Sequence, residues 1–148
     1  MLAMIAVGLW AAHIGGRAFW VVPCTFLGAM VLGSTLGFAG LPVPFVEEGI
    51  LASILISGIL IAGAFKIPLV YSSLIVGLFA IFHGHAHGAE TAEPISAVSY
   101  TLGFTLATAM LHVAGMGLGI LMQKTNLHTV NRCAGGAIAL CSVYLAIA

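Results

Sequence analysis

Charge is what this sequence lacks most. Asp, Glu, Lys and Arg together make up 5% of the 148 residues, and Asp is absent altogether. Soluble domains carry about 25% of these residue types, so charge cannot solvate the surface of this chain. Apolar residues account for 61% of the sequence, and the mean hydropathy is +1.20. The composition therefore excludes a soluble protein and predicts one whose surface is covered by a lipid bilayer.

Net charge, cysteine motifs and catalytic motifs are missing as well. The formal net charge is zero, which argues against nucleic acid or any other acidic partner. Cys24, Cys133 and Cys141 have no CxxC or metal-ligand spacing and lie in apolar segments, so we expect buried free thiols. No signal peptide, Walker motif or catalytic triad is recognisable. We expect a protein that is not an enzyme.

Six apolar runs follow one another along the chain and predict an all-α fold, a polytopic membrane bundle of about six transmembrane helices. A helix needs about 20 residues to cross the hydrocarbon core. The first run is shorter than this, as if cut off at its N-terminal side. We expect a single transmembrane domain over residues 1–148, with spans at approximately 1–13, 18–39, 47–65, 67–86, 95–122 and 130–148.

The few charged residues segregate between alternate loops. With six spans, the basic residues share one side of the membrane and the acidic residues share the other. Basic loops face the cytoplasm by the positive-inside rule, so we expect both termini to face outward. The basic residues are Arg17, Lys66, Lys124 and Arg132, and the acidic residues are Glu47, Glu48, Glu90 and Glu93.

Ligand-type side chains gather in residues 83–90, where the fourth run ends. If the helix continues through this segment, His83, His87 and Glu90 share one face and His85 points elsewhere. If the segment is extended, the three histidines share a face instead. Imidazole with carboxylate suits Ni, Co, Zn, Cu or Fe, whereas the competing interpretation is a polar cap at the membrane interface. We predict metal binding at this segment, on the outward side of the membrane.

A second polar feature lies inside the fifth run. His112 is roughly 16 Å from the polar boundary at Gln123 by helical rise, near the middle of the bilayer. A histidine at that depth normally faces the bundle interior or a water-filled cavity. The stripe around it either lines an ion path, with Met116 adding a soft thioether, or only packs helices. Its members recur at helical spacing: Thr101, Thr105, Thr108, His112, Gly115 and Gly119.

Two remaining groups of polar residues have simpler interpretations. His13 precedes a glycine pair at the end of the first run, and His128 lies in a polar loop, so both are expected to be interfacial or solvated. Glu47 and Glu48 follow a proline and begin the third run. Acidic residues at that position interact favourably with the helix dipole. We prefer this interpretation to a role in attracting cations.

Two GxxxG patterns predict close helix packing. Gly33 and Gly37 form the first, and Gly115 and Gly119 form the second. Small residues at this spacing let two membrane helices approach closely. The contacts could lie within one bundle or between protomers, so a homo-oligomer is possible.

The histidine segment resembles the signature of the HupE/UreJ family of hydrogenase- and urease-accessory membrane proteins. The resemblance rests on residues 82–90, on residues 2–12, which are similar to the family's first mature helix, and on residues 103–115, which are similar to its fifth. It covers essentially the whole chain. It implies a secondary transporter (permease) of the bacterial inner membrane that takes up nickel or cobalt for hydrogenase or urease maturation.

By the same resemblance, His83, His87 and Glu90 would contact the transported Ni²⁺ or Co²⁺, with His85 as a further candidate. No catalytic cofactor is implied. One rival interpretation is an accessory protein that binds metal without transporting it and passes it to a partner. The other is an embedded enzyme with a zinc or iron centre, for which the apolar runs offer no acidic ligand.

One departure from the family pattern concerns the N-terminus. Family members usually carry a signal peptide and then an HPxxGxDH-type motif, whose Asp-His directly precedes the stretch that begins here at Met1. A start codon placed too late would explain this, and so would the loss of an outer ligand pair. The short first run favours the misplaced start.

Overall fold

The computed structural model describes residues 1–90 and 94–147, with side chains except at 94–97. This part of the chain forms six α-helices and no strand, which confirms the predicted all-α bundle. Glu93, predicted to share the acidic side, lies outside the described residues. The helices are α1 (Leu2–Ile14), α2 (Ala18–Phe38), α3 (Val46–Ala62), α4 (Leu69–Ala89), α5 (Pro94–Lys124) and α6 (His128–Ile147).

The exterior of the bundle is apolar, and its interior combines an apolar core with buried polar side chains. On α5, Leu102, Leu106 and Met110 form an outward stripe, and each is more than 60% exposed. Ser34 and Ser72, by contrast, are completely buried. Large contiguous apolar surfaces are rare on soluble monomers, so this distribution is the one expected of a protein surrounded by lipid.

Four helices are long and apolar enough to cross a bilayer, namely α2, α4, residues Val98–Lys124 of α5, and α6. Helix α1 has only 13 residues, which gives a length of about 20 Å against the roughly 30 Å of the hydrocarbon core. Nine of these residues are buried, however. Helices α2, α3 and α5 pack around α1, so most of its surface is covered by protein.

Glycines allow helix α2 to pack closely along α4. A side chain at Gly33 would meet the backbone of Ile81, and one at Gly37 would meet the backbone at His85 and Gly88. Because α4 is held against α2 in this way, the position of the histidine segment is fixed by backbone contact over two helical turns.

The second GxxxG pair packs in the same manner. Gly115 of α5 lies against the backbone of Ile5 and Gly8 in α1, and Gly119 lies against Ala12. Both predicted glycine faces are thus occupied by helices of the same chain. Formation of a homo-oligomer stays a prediction.

The four basic residues mark one end of the bundle, which we call the basic end (Arg17, Lys66, Lys124 and Arg132). Side chains there donate to carbonyl groups at the C-terminus of α3: Arg132 Nε to Ala62 at 2.7 Å, and His13 Nε2 to Ala64 at 3.0 Å. These bonds satisfy carbonyls that the end of a helix leaves without partners. His128, the first residue of α6, is exposed.

The predicted burial of the three cysteines is wrong. Cys24 and Cys133 are exposed and Cys141 is partly buried, although all three are free thiols. The prediction assumed that an apolar segment is a buried one. In a membrane bundle both the interior and the lipid-facing surface can be apolar, so hydropathy alone does not distinguish them.

Candidate metal site

Helix α4 continues through the histidine segment and ends at Ala89, with Glu90 as its C-cap. Of the two arrangements left open by the sequence, the structure therefore has the helical one. His83 and His87 lie one turn apart on one face, and His85 projects from a different face.

The two glycines of the segment explain how a helix so rich in histidine packs tightly. A side chain at Gly84 would collide with the carbonyl of Met30, and one at Gly88 with the carbonyl of Ser34. Both positions lie on the side of α4 that touches α2. The glycines thus provide the packing surface, while the imidazoles occupy the other sides of the helix.

His83 is buried in the interior, with 6% of its surface exposed. Its Nε2 lies 2.9 Å from the hydroxyl of Ser53, and that hydroxyl donates to the carbonyl of Ile50 at 2.6 Å. A hydroxyl has a single proton, so Ser53 accepts a bond from His83 Nε2–H. The neutral ring then carries its lone pair on Nδ1, the atom that could bind a metal ion.

His87 and Glu90 lie at the end of α4, where Tyr100 of α5 connects them. The Tyr100 hydroxyl donates to Glu90 Oε2 at 3.4 Å and lies 3.3 Å from His87 Nδ1. His87 Nδ1 and Glu90 Oε2 are themselves 3.7 Å apart. The ring of His87 stacks on Phe104, with centroids 4.8 Å apart. The imidazole and the carboxylate are therefore neighbours that one small ion could contact together.

His85 is separate from this pair. Its Nε2 donates to the carbonyl of Leu41, in the loop between α2 and α3, at 2.8 Å. In residues 1–90 and 94–147, no three side chains of His, Cys, Asp or Glu are arranged to hold a metal ion. The structure thus brings His87 and Glu90 together, places His83 one turn deeper, and directs His85 to a backbone group.

His112 is the deepest of the predicted residues, with 1% of its surface exposed. Its Nδ1 donates to the carbonyl of Met4 at 2.7 Å. Its Nε2 and the hydroxyl of Thr105 are buried without a hydrogen-bond partner among the described residues. Thr108 donates to the sulfur of Met30 at 3.7 Å. One ring nitrogen of His112 therefore serves packing, as one interpretation expected, and the other nitrogen has no partner in the part of the chain that the structure describes.

A phenylalanine that the sequence did not single out connects the two buried histidines. The centroid of the Phe26 ring lies 5.7 Å from the ring centroid of His83 and 5.0 Å from that of His112. Ser53 and Tyr100 were also missed. The pair Ser53 and Ser57, one turn apart in an apolar run, was the available signal for a polar contact inside the bundle.

Comparison with known proteins decides the family. The HupE / UreJ protein family matches residues 1–145. The chain belongs to the HupE/UreJ family. It is 42% identical to protein HupE of Rhizobium leguminosarum bv. viciae over 147 residues, which cover 99% of this chain and 77% of that protein. No solved structure matches the chain. The predicted family is confirmed, and with it an accessory role of the hydrogenase and urease type in a membrane.

Proposed function

We propose that this protein is a secondary transporter that takes up Ni²⁺ or Co²⁺ across the bacterial inner membrane for hydrogenase or urease maturation. The observation that supports it is the placement of His87 and Glu90 at the end of α4, 3.7 Å apart, with His83 one turn deeper in the bundle. Imidazole and carboxylate are good ligands for both ions. A permeating ion requires successive ligands that lead into the bundle. A polar cap at the membrane interface has no such requirement.

The orientation follows from charge. With the basic end in the cytoplasm, the histidine segment faces outward and receives the ion from that side. The membrane potential then drives inward movement, supplying about 2.3 kcal/mol per charge for each 100 mV, hence about 4.6 kcal/mol for a divalent ion. No nucleotide site is needed for this direction of transport.

The remaining path leads past Phe26 to His112. On the same helix, Thr105 and Thr108 precede His112 on this inward path and Met116 follows it, and these three provide the other polar or soft atoms. In the described arrangement Thr108 is bound to Met30, and the ring of Phe26 packs against both histidines. The path is therefore closed at this level, and passage requires these side chains to move.

Uptake by proteoliposomes tests the proposal. The purified full chain is reconstituted with an internal metal-sensitive dye, and Ni²⁺ or Co²⁺ is added outside under an inside-negative potential. We expect uptake by the wild type and its loss in the His83→Ala, His87→Ala double variant. His128→Ala removes an exposed histidine at the basic end and should transport normally.

The second candidate is a non-transporting accessory protein that binds metal at His87 and Glu90 and passes it to a partner. Its support is the same ligand pair together with the closed path beneath it. Liposomes separate the two functions: metal binding to the protein without any entry of ion into the lumen would reject the transporter and favour the accessory protein.

A further inference from the structure

The six helices form three closely packed pairs, each joined through glycine. In the α2–α4 pair, a side chain at Gly84 would collide with a carbonyl group of α2. In the α1–α5 pair, a side chain at Gly115 would collide with a carbonyl group of α1. The α3–α6 pair repeats the arrangement, with Gly58 and Gly135 each lying against the backbone of the other helix. Backbone contact of this kind leaves the two helices of a pair little room to move apart or slide.

Hydrogen bonds to backbone carbonyls also hold two of these pairs. From α5, His112 donates to a carbonyl of α1 at 2.7 Å and Gln123 donates to another at 2.9 Å, near the two ends of α1. From α6, Arg132 and Ser142 each donate to a carbonyl of α3 at 2.7 Å. Within the α1–α5 and α3–α6 pairs, glycine packing and short hydrogen bonds therefore act together.

Contacts between the pairs are of a different kind. Among the residues that the structure describes, no glycine brings the backbone of one pair against the backbone of another. Where α5 meets α4, the Tyr100 hydroxyl lies 3.3 Å from His87 and 3.4 Å from Glu90, which are long distances. Where α5 meets α2, Thr108 donates to the sulfur of Met30, a weak acceptor. The α2–α4 pair thus holds α5 less firmly than α1 does.

Better bonds hold the α1–α5 pair at the basic end, where α1 meets the turn between α3 and α4. Trp10 Nε1 donates to the carbonyl of Phe65 at 3.0 Å, and His13 Nε2 donates to that of Ala64 at the same distance. Trp10 is 1% exposed, so its indole fills the interior at this end. We call these two bonds the latch. They join the α1–α5 pair to the α3–α4 turn on the side from which the transported ion would leave.

We propose that the α1–α5 pair moves as one unit against the other two pairs, and that the latch opens to release the ion at the basic end. Such a movement keeps the glycine contacts within each pair and breaks only contacts between side chains and neighbouring pairs. Secondary transporters commonly expose a site to the two sides in turn by moving one rigid part of a bundle against another. The inference rests on the proposed function for its role in transport, but the movement itself can be measured without transport.

Reversible cross-linking tests the latch. In a variant whose three native cysteines are replaced by serine, His13→Cys and Ala64→Cys are joined by a short, reducible bis-methanethiosulfonate linker. We expect the linker to stop uptake of Ni²⁺ by proteoliposomes, and its reduction to restore uptake. Binding of Ni²⁺, followed by isothermal titration, should not change, because His87 and Glu90 lie at the opposite end of the bundle. Continued uptake by the linked protein overturns the latch, and so does loss of binding together with uptake.

A cross-link within one pair is the matched control. A Cβ atom added at Gly77 of α4 would lie 4.0 Å from the Cβ of Ala29 on α2, a separation that a disulfide spans. In the same cysteine-free background, the oxidised Ala29→Cys, Gly77→Cys variant should take up Ni²⁺ as well as its reduced form does, because the α2–α4 pair moves as a whole. Loss of uptake on oxidation of this control would overturn the division into rigid pairs.

Distances between spin labels measure the movement without transport. Lys66 of the α3–α4 turn and Lys124 at the end of α5 are exposed, and each is replaced by a labelled cysteine in the cysteine-free background. We expect pulsed electron paramagnetic resonance in nanodiscs to show two distances between these labels. Labels on Trp20→Cys and Val70→Cys, two exposed positions of the α2–α4 pair, should show a single distance.

The outcomes separate the movement from the proposed transport. A single distance between the labels at positions 66 and 124, with and without Ni²⁺, overturns the movement even if liposomes take up the ion. Two distances in a protein that transports no ion support the movement and reject the transporter. Unfolding temperatures identify any cross-linking variant that has lost its fold, and the spin-label distances then decide in its place.

Discussion

The hydroxyl of Ser53 lies 2.9 Å from Nε2 of His83 and connects α3 to α4 inside the bundle. Since Ser53 donates its only proton to Ile50, it fixes the tautomer of His83 and leaves the lone pair on Nδ1. Metal-binding histidines are typically held in this way by a bond to the nitrogen that does not bind the metal. Ser53 is therefore a positioning residue for the candidate site.

Replacing Ser53 should weaken metal binding without removing a ligand. In Ser53→Ala the ring of His83 loses its orientation, so we expect the affinity for Ni²⁺ to fall about tenfold or more, as found for residues that orient metal ligands. Isothermal titration of the full chain in nanodiscs measures it. Ser53→Thr, which restores the hydroxyl, should recover part of the loss.

Ser57 provides the matched control for this prediction. It is buried on α3 one turn beyond Ser53, so Ser57→Ala tests removal of a hydroxyl from the same helix. Its Ni²⁺ affinity should equal that of the wild type. Equal losses in both variants would mean that packing of α3, and not the bond to His83, controls the site.

His85 should be the dispensable histidine of the segment. Its ring is bonded to the Leu41 carbonyl, away from His87 and Glu90. In His85→Ala we expect uptake close to that of the wild type and a loss of about 0.5–1.5 kcal/mol in unfolding free energy, the usual net value of one hydrogen bond. Uptake assays and thermal unfolding measure the two effects. Loss of uptake as complete as in His87→Ala would place His85 among the ligands.

Gly84 should be intolerant of a side chain. A methyl group there would collide with the carbonyl of Met30 and force α4 away from α2. Overpacking of this kind costs about 1–3 kcal/mol, so Gly84→Ala should unfold at lower temperature. Gly28→Ala, on α2, meets no atom within 4 Å and should be as stable as the wild type or more so. Similar stability of the two variants would contradict the close α2–α4 contact.

The sequence predicted those parts of the molecule that depend on composition and helical period. Scarcity of charge predicted a membrane bundle, and the spacing of His83, His87 and Glu90 predicted their common face once the helix continues. The partners of these residues were not predictable, because they come from distant parts of the chain. Ser53 lies 30 residues before His83, and no local pattern specifies such a contact.

The same reasoning explains the mixed result for His112 and the cysteines. A histidine in the middle of an apolar run was expected to face the bundle interior, and His112 is buried there. Its bond to Met4, 108 residues away, depends on how α1 packs against α5. Exposure of Cys24 and Cys133 likewise depends on which side of each helix meets a neighbour, and helices that are apolar on every side do not encode this clearly.

Tyr100 should compete with the metal ion at the end of α4. Its hydroxyl contacts both His87 and Glu90, at 3.3 and 3.4 Å, so an ion bound between these two must displace it. The bonds are long and the residue is 38% exposed, which makes the competition weak. In Tyr100→Phe we expect Ni²⁺ affinity to rise by about two- to tenfold, equivalent to one weak hydrogen bond, as measured by isothermal titration. Tyr144→Phe, on the exposed face of α6, should change nothing. A fall in affinity in Tyr100→Phe would instead make this hydroxyl a group that holds the ligands in place for the ion.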